Sequence, residues 1–500
     1  MVLSLLSLCA KEVVRDHSSS HSWLRWMPKD LYRALLEAAF STCRPLAVGE
    51  LVQRWPELTL RVGGRRKPGQ TAPNRLCIQS MLLGVVRGLT DHRDLKRERG
   101  QKKRDGELNS NESTNVGERT ESSGSVSEED LSKGVRRRME IERKRERTVL
   151  GSSERDAEEK EMDRDVVVHV RADLFVNGRS WERVHSALST SGPLKLQCRY
   201  LRVEEISVPS ISILLDLLPR RGLLGVDIRY SSLGVAGLAE LLPLLSTFPA
   251  LKSLRLHYCN LDFRRVHPSQ SEALGELSQG LARLQELRHL SLTALRLPGQ
   301  LRVLLSSLPQ PLEILELPYL SLSPADFAYL SCSHHTSTLQ QLDLSENRLD
   351  ENTLPSIRRL LSQASGSLQH LSLSGCGLTD GLLGLLLPSL GGCRALKSLA
   401  LALNPLSMAG LMDLVKMAVR MPSLRQLLYP NPLEDYQPGL PDLPSSAQLL
   451  DWPLDETSDI NLTSNKLNRV LIDNGRSDIF LTCYSWDAAK YFCIQFIHSV

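Results

Sequence analysis

Aromatic residues are scarce in this chain, 5% of 500, which excludes a core assembled from large rings and leaves the filling to aliphatic side chains. A surplus of one charge is also missing. The 61 Lys and Arg against 57 Asp and Glu leave a net +4, too little over this length to favour nucleic acid or a membrane surface. No apolar run approaches the roughly 18 residues that would cross a bilayer. Val2 to Leu8 is apolar, but no basic residue precedes it and Lys11 and Glu12 follow at once. That argues against a signal peptide and for a strand or helix of an N-terminal cap.

Chemistry is equally thin. The ten cysteines, at 9, 43, 77, 198, 259, 332, 376, 393, 483 and 493, form no C-x-x-C pair, so reduced thiols in a cytoplasmic protein are expected. Asn461-Leu462-Thr463 is then a glycosylation sequon that never meets its enzyme. Gly63-Gly64 and Gly69-Gln70-Thr71 lack the lysine a phosphate loop needs. His334-His335 has no Cys or carboxylate at ligand spacing. With no nucleophile elbow, zinc-protease or kinase signature, a non-enzymatic protein without metal or cofactor is expected.

What the sequence does have is leucine at a fixed interval. Leu339-Gln340-Gln341-Leu342-Asp343-Leu344-Ser345-Glu346-Asn347-Arg348-Leu349 fits the template L-x-x-L-x-L-x-x-N-x-L at every specified position. The same frame fits from Leu251, Leu287, Leu312, Leu368 and Leu396, with a degenerate copy at Leu223 and a weaker one from Leu424. The steps are 28, 36, 25, 27, 29, 28 and 28 residues. A period near 28 leaves room for a helix after each strand, and Leu238, Leu241, Leu242 and Leu245, or Leu411, Leu414, Val415 and Ala418, carry helical spacing there. Pro243 and Pro388, late in such helices, are expected to kink or end them.

The fold class expected is therefore an α/β leucine-rich repeat solenoid, a horseshoe with parallel strands on the concave face and helices on the convex face. Residues 1–92 are expected as a helical N-terminal cap, with a helix over Pro28 to Phe40 and a second carrying Leu51, Val52 and Trp55. Residues 93–165 hold 19 Lys or Arg and 20 Asp or Glu with no aromatic residue, the composition of a disordered charged linker, with a transient helix over 136–147. Lys102-Lys103-Arg104 and Arg143-Lys144-Arg145 belong to that balanced, solvated segment rather than to a polyanion site. Irregular early repeats occupy 166–222, beginning with a strand from Val166, a helix over Trp181 to Leu188 and a strand from Leu194 to Cys198. The repeat domain proper covers 223–433, with a loop insertion from Phe263 to Ser271. A C-terminal cap covers 434–500: helix Leu467 to Ile472, strand Ile479 to Tyr484, helix Asp487 to Ile497.

On such a fold, recognition falls to the strand residues that flank the buried leucines. Asp227, Arg229, Arg255, His257, Glu316 and Asp343 form that stripe, basic in the early repeats, acidic in the middle and neutral in the last. Arg229, Arg255 and His257 would meet an acidic patch, and Glu316 and Asp343 a basic one, which suits a protein partner better than nucleic acid.

The helix Pro28 to Phe40 with Glu50-Leu51-Val52-Gln53-Arg54-Trp55-Pro56 resembles the head of the PRAME family, and Leu254 to Tyr258, Asn404 to Leu411 and Tyr436 to Pro441 are similar to later parts of the same family. The resemblance covers residues 24–90 and 166–500. It implies a cytoplasmic adaptor, monomeric before complex formation, that restrains Toll-like-receptor signalling to NF-κB by binding an IκB kinase subunit. It also implies an alternative, a substrate receptor joined to elongins B and C and cullin-2, in which Leu31, Leu35 and Ala39 would face elongin C and a cullin-2 segment would follow Trp55-Pro56. Thr59 departs from the apolar residue wanted there. The other reading of Leu31, Leu35 and Trp55 is that they cap the first repeat.

Overall fold

In the computed structural model the described residues are 5–15, 27–57, 60, 74–88, 91, 168–190, 194–262, 270–296, 298–455 and 460–483. Thr59, the charged segment 93–165 with its expected helix, most of the Phe263 to Ser271 insertion and the helix from Asp487 lie outside them. The chain divides into two units, 1–168 and 169–500.

The first unit is helical. Leu5–Arg15 is a helix. A 3-10 turn at Lys29–Leu31 leads into the helix Tyr32–Ser41, and Pro45 opens a third over Pro45–Gln53, where its missing N–H would have had no partner anyway. Trp55 lies past that helix rather than on it, since Pro56 disfavours helical backbone in the residue before it. Its ring meets Tyr32 edge-on at 6.3 Å. A fourth helix, over 75–88, crosses the third closely enough that a Cβ on Gly84 would overlap the Gly49 carbonyl oxygen and one on Gly88 would sit 2.6 Å from that of Gln53. The unit's core is small and aliphatic: Leu35, Leu36, Ala39, Val48, Leu51 and Val52 are buried.

The second unit is one eleven-stranded sheet in sequence order. The strands are β1 Val168–Asn177, β2 Leu194–Glu204, β3 Gly225–Arg229, β4 Ser253–His257, β5 His289–Thr293, β6 Ile314–Glu316, β7 Gln341–Asp343, β8 His370–Ser372, β9 Ser398–Ala400, β10 Gln426–Tyr429 and β11 Phe480–Cys483. Every neighbouring pair from β2 to β11 is parallel. Leu254 faces Leu290, which faces Leu315, then Leu342, Leu371, Leu399 and Leu427, so one repeat position becomes one buried row. The expected leucine-rich repeat solenoid is the fold, and the early and C-terminal strands join the same sheet.

A buried row of leucines cannot satisfy the carbonyls where each chain leaves its strand, and this is the task of the N/C position in the template. Asn347, wholly buried, donates through Nδ2 to Leu317 O (2.7 Å) and Leu344 O (2.9 Å) and accepts from Leu322 N through Oδ1. Asn404 repeats this with Leu373 O, Leu401 O and Leu378 N. Cys259 and Cys376 are more than small fillers, because their thiols donate to Ile228 O and Leu344 O. Burial raises the Cys259 pKa to about 11 and pushes that of Cys376 up as well, which keeps both as donors.

The helices pack behind the sheet. Those over Gly234–Leu245 and Asp380–Gly391 run past Pro243 and Pro388 instead of ending there. Both prolines are exposed and near the last turn, and each removes one i→i−4 bond from its helix. The C-terminal helix is longer than expected, Ile460–Asp473. Beyond it Arg476 closes the last repeat, its guanidinium donating to Val419 O (2.9 Å), Met421 O (2.8 Å) and Leu424 O (2.9 Å).

Replacing Asn404 with Ala leaves several buried backbone groups unpaired, and the expected loss is about 2–3 kcal/mol of folding stability. Urea titration of the full chain measures it, and a loss under about 0.5 kcal/mol would mean that water takes over those bonds.

Candidate protein-binding face

Parallel register brings the six stripe residues side by side on the sheet face turned away from the helices. Arg202 of β2 aligns with Asp227, Arg255, Ser291, Glu316, Asp343, Ser372 and Ala400 in one row, and Glu204 with Arg229, His257 and Thr293 in the next. The charges are not presented outward as the sequence suggested. Arg229 bonds both oxygens of Asp227 at 2.8–3.0 Å, with side chains 19% and 15% exposed, while Arg202 pairs with Glu204 in the opposite order one strand earlier. The charges of β2 and β3 thus alternate in sign and cancel.

Further along, Glu316 accepts from Gln341 Nε2 at 2.9 Å and lies 3.4 Å from His289 Nε2, a nitrogen also 3.4 Å from Arg255 Nε. Burial works against the charge of Glu316, but the hydrogen bond and charge of His289 and the charge of Arg255 outweigh it and hold the pKa down at about 2. Asp343 is the opposite case. Burial is the largest influence on it and exceeds the help from Ser345, so its pKa rises from 3.8 to about 6. His257 is kept neutral by burial, its pKa lowered to about 4 despite Asp227, whose Oδ1 is 3.8 Å away. His335, half of the sequence's histidine pair, is a core residue, with Nδ1 accepting from Leu312 N and Nε2 at 2.9 Å from Leu305 O. Among the described residues no group of His, Cys, Asp and Glu could hold a metal ion.

What the face does present lies one residue beyond the strand row. Glu205, Tyr230, Tyr258, Ala294, Tyr319, Glu346, Gly375 and Leu403 all adopt left-handed backbone, φ between 50° and 65°. In the repeats from Leu223 to Leu396 this residue stands seven places after the first leucine. Each N–H from Tyr230 to Gly375 donates to a carbonyl of the next repeat at 2.8–3.2 Å, which offsets the roughly 1–2 kcal/mol that left-handed backbone costs a non-glycine residue. The turn directs the side chain outward: Tyr230 is 54% exposed, Tyr258 48% and Tyr319 54%. Tyr230 and Tyr258 stack at 5.2 Å with 13° between their planes. At the N-terminal end Arg202 lies over the half-exposed Phe175 ring at 5.5 Å. Sequence reasoning passed over these rings because it read only positions within the strand. The constant offset of seven was the available signal.

The C-terminal end is closed. Ala400, Ala402 and Leu428 face the side that is polar in earlier repeats, yet they are buried in a small apolar cluster with Leu403 against it. Residues 433–455 fold back here. Tyr436 pairs with Leu454, Trp452 Nε1 donates to Gln437 O, and Ser446 Oγ donates to Glu346 Oε2 at 2.6 Å, three repeats back. Glu346 reaches Ser446 across Gly375, where any Cβ would collide with its carboxylate.

In the first unit, Leu35 and Ala39 are buried and Leu31 packs partly against the same core, so these three residues form the inside of the helical cap. The apolar side chains it exposes are others, among them Leu5, Leu46, Leu76 and Leu83.

The raised pKa of Asp343 gives stability a pH dependence with a defined sign. The folded state holds its proton more tightly than the unfolded chain, so stability falls as pH rises from about 4 to about 6 and stays lower above. Glu316 acts the other way, its contribution present above about 4.5 and lost as pH falls toward 2. Asp343→Asn removes only the first effect. It should be about 1–3 kcal/mol more stable than wild type near pH 8 and indistinguishable near pH 4 in denaturant titrations; equal stability at both pH values would mean that Asp343 ionises without penalty.

Comparison with known proteins agrees with this architecture. The family model described as PRAME C-terminal domain matches residues 188–440, and that described as PRAME N-terminal domain matches residues 3–90. The chain is 36% identical over 502 residues to leucine-rich repeat-containing protein 14 of Xenopus laevis, covering 96% of this chain and 97% of that one. It is 32% identical over 511 residues to the Bos taurus protein of the same name, covering 98% and 100%, and 27% identical to PRAME family member 20 of Homo sapiens, covering 86% of each. Among solved structures it is similar to a Bacteroides fragilis protein (15% identity, TM-score 0.34, 56% of this chain and 81% of that) and to the Rad7 and Elc1 complex of yeast (15%, 0.33, 64% and 98%). With both halves of the family pattern matched and a relative aligned from end to end, the chain belongs to the PRAME family.

Proposed function

We propose that this protein is a non-enzymatic cytoplasmic adaptor that binds an IκB kinase subunit, hinders assembly of the kinase complex and so restrains Toll-like-receptor signalling to NF-κB. The observation that supports the reading is the half-exposed tyrosine row, Tyr230, Tyr258 and Tyr319, beside charges that already neutralise one another. Exposed tyrosines held by rigid backbone lose little entropy on binding and are frequent interface anchors. A polyanion would instead want free cations along the face, and here Arg202 and Arg229 are paired. Contact is assigned to the open repeats from β2 to β7, because residues 433–455 fold back at the C-terminal end.

A second reading has its own support. Leu76 is 58% exposed and Leu83 49%, on a helix whose other side packs on Gly49, and Leu46 is more exposed still. Such side chains suit the apolar groove of an adaptor like elongin C, in a cullin-2 ligase whose client binds the repeats. On this reading Leu76, Leu83 and Leu46 make the contact, while Leu31, Leu35 and Ala39 hold the helices that present them.

Two experiments separate the readings. Tyr230→Ala with Tyr258→Ala should lower capture of purified IκB kinase subunits about tenfold or more, with unchanged circular dichroism; undiminished capture removes the adaptor reading. Leu76→Asp with Leu83→Asp should abolish elongin C recovery in pull-downs while leaving kinase-subunit capture intact, and full recovery removes the ligase reading.

A further inference from the structure

The left-handed row is not uniformly aromatic. Between Tyr258 and Tyr319 stands Ala294, in the same backbone conformation (φ 54°) but with only a methyl group beyond it. Neighbouring strands lie about 4.8 Å apart, so the backbones carrying Tyr258 and Tyr319 are separated by about 9–10 Å. One step earlier in the row, Tyr230 and Tyr258 stand as near-parallel plates 5.2 Å apart. A planar group placed over Ala294 would therefore stand about 5 Å from the tyrosine position on each side, within the range of cation–π attraction.

The charges nearby select what that group should be. Glu316, on the strand that leads to Tyr319, is ionised, and Asp343 and Glu346 follow on the next repeat. Against these three carboxylates the face offers Arg255 from the other side. The remaining pair at this edge, Asp262 and Arg296, is 3.6 Å apart and cancels. A cation is favoured over an anion, and a flat, weakly hydrated cation over a compact one.

We propose that Tyr258, Ala294 and Tyr319 form a clamp for a single arginine side chain of a protein partner, its guanidinium sandwiched between the two rings and facing the acidic repeats. This rests on the reading of the open face as a protein-binding surface and adds the chemistry of its central anchor. Aromatic anchors would fill the slot but bring no positive charge to the acidic repeats. Lysine would meet the charge but not the shape.

The full chain can be tested by biolayer interferometry on immobilised tandem copies of Gly-Ser-Xaa-Ser-Gly, with Arg, Lys or Trp at the variable place, in about 0.15 M salt. The arginine peptide should bind about tenfold more tightly than the lysine peptide. Ala294→Tyr fills the slot with a residue that three neighbouring positions of the row already accept, so folding is preserved. It should cost the arginine peptide about tenfold, and Tyr319→Ala should do the same. Equal binding of Arg and Lys, tighter binding of Trp, or indifference to Ala294→Tyr would each overturn the clamp. If kinase-subunit capture still depends on Tyr230 and Tyr258 when that happens, the adaptor reading stands without it; if the clamp holds while that capture ignores those tyrosines, the adaptor reading falls alone.

Discussion

One backbone turn governs both the stability of the repeat unit and its usable surface. Each strand from β2 to β9 is followed within three residues by one of left-handed conformation, and for seven of them, Glu205 to Gly375, its N–H is passed to the following repeat. Without that turn the chain would continue extended, and the carbonyls that Asn347 and Asn404 gather would point elsewhere. With it, the side chain at the turn has nowhere to go but outward. Stacking and display therefore share a cause, and a residue chosen there for recognition does not disturb the leucines beneath it.

This separation is the reason the proposed contact is placed on the tyrosine row rather than on the charged stripe. Strand residues two apart lie on the same face, so Asp227 and Arg229, or Arg202 and Glu204, find each other before any partner arrives. Half-buried pairs of this kind would have to be broken to bind an ion from outside, and breaking a buried pair costs more than the new contact returns. Tyr230 and Tyr258 are instead stacked on each other, an arrangement that a partner can extend.

The sequence made the repeat unit legible and the site only partly so, for physical reasons. Burial enforces leucine at near-constant spacing, and the same spacing fixed the strand order and register from Leu251 to Leu424. Alternation within a strand correctly placed Asp227, Arg255, Glu316 and Asp343 on one face. It could not report pairing, because ion pairs depend on side-chain reach and not on period. It also stopped at the strand's end, where a turn rather than a strand decides direction, and so passed over Tyr230, Tyr258 and Tyr319. In the helical unit Leu31, Leu35 and Ala39, which the family resemblance set toward elongin C, pack into the core, since a small bundle buries its most regular face and exposes the remainder.

The last repeats show how the same scaffold limits its own reach. Where the strand positions turn from polar to apolar, at Ala400, Ala402 and Leu428, the face no longer tolerates water, and residues 433–455 fold back at that end. The fold-back is anchored at Glu346, a member of the left-handed row, and Gly375 beside it carries no side chain to obstruct the path. A polar residue at 402 would leave the cluster with an unsatisfied group, and a side chain at 375 would displace the carboxylate from Ser446, so the composition of these two positions decides where the open surface stops. That boundary falls at the β7 repeat, one beyond Tyr319. On the proposed contact, a partner lying across the tyrosines would finish against the acidic repeats.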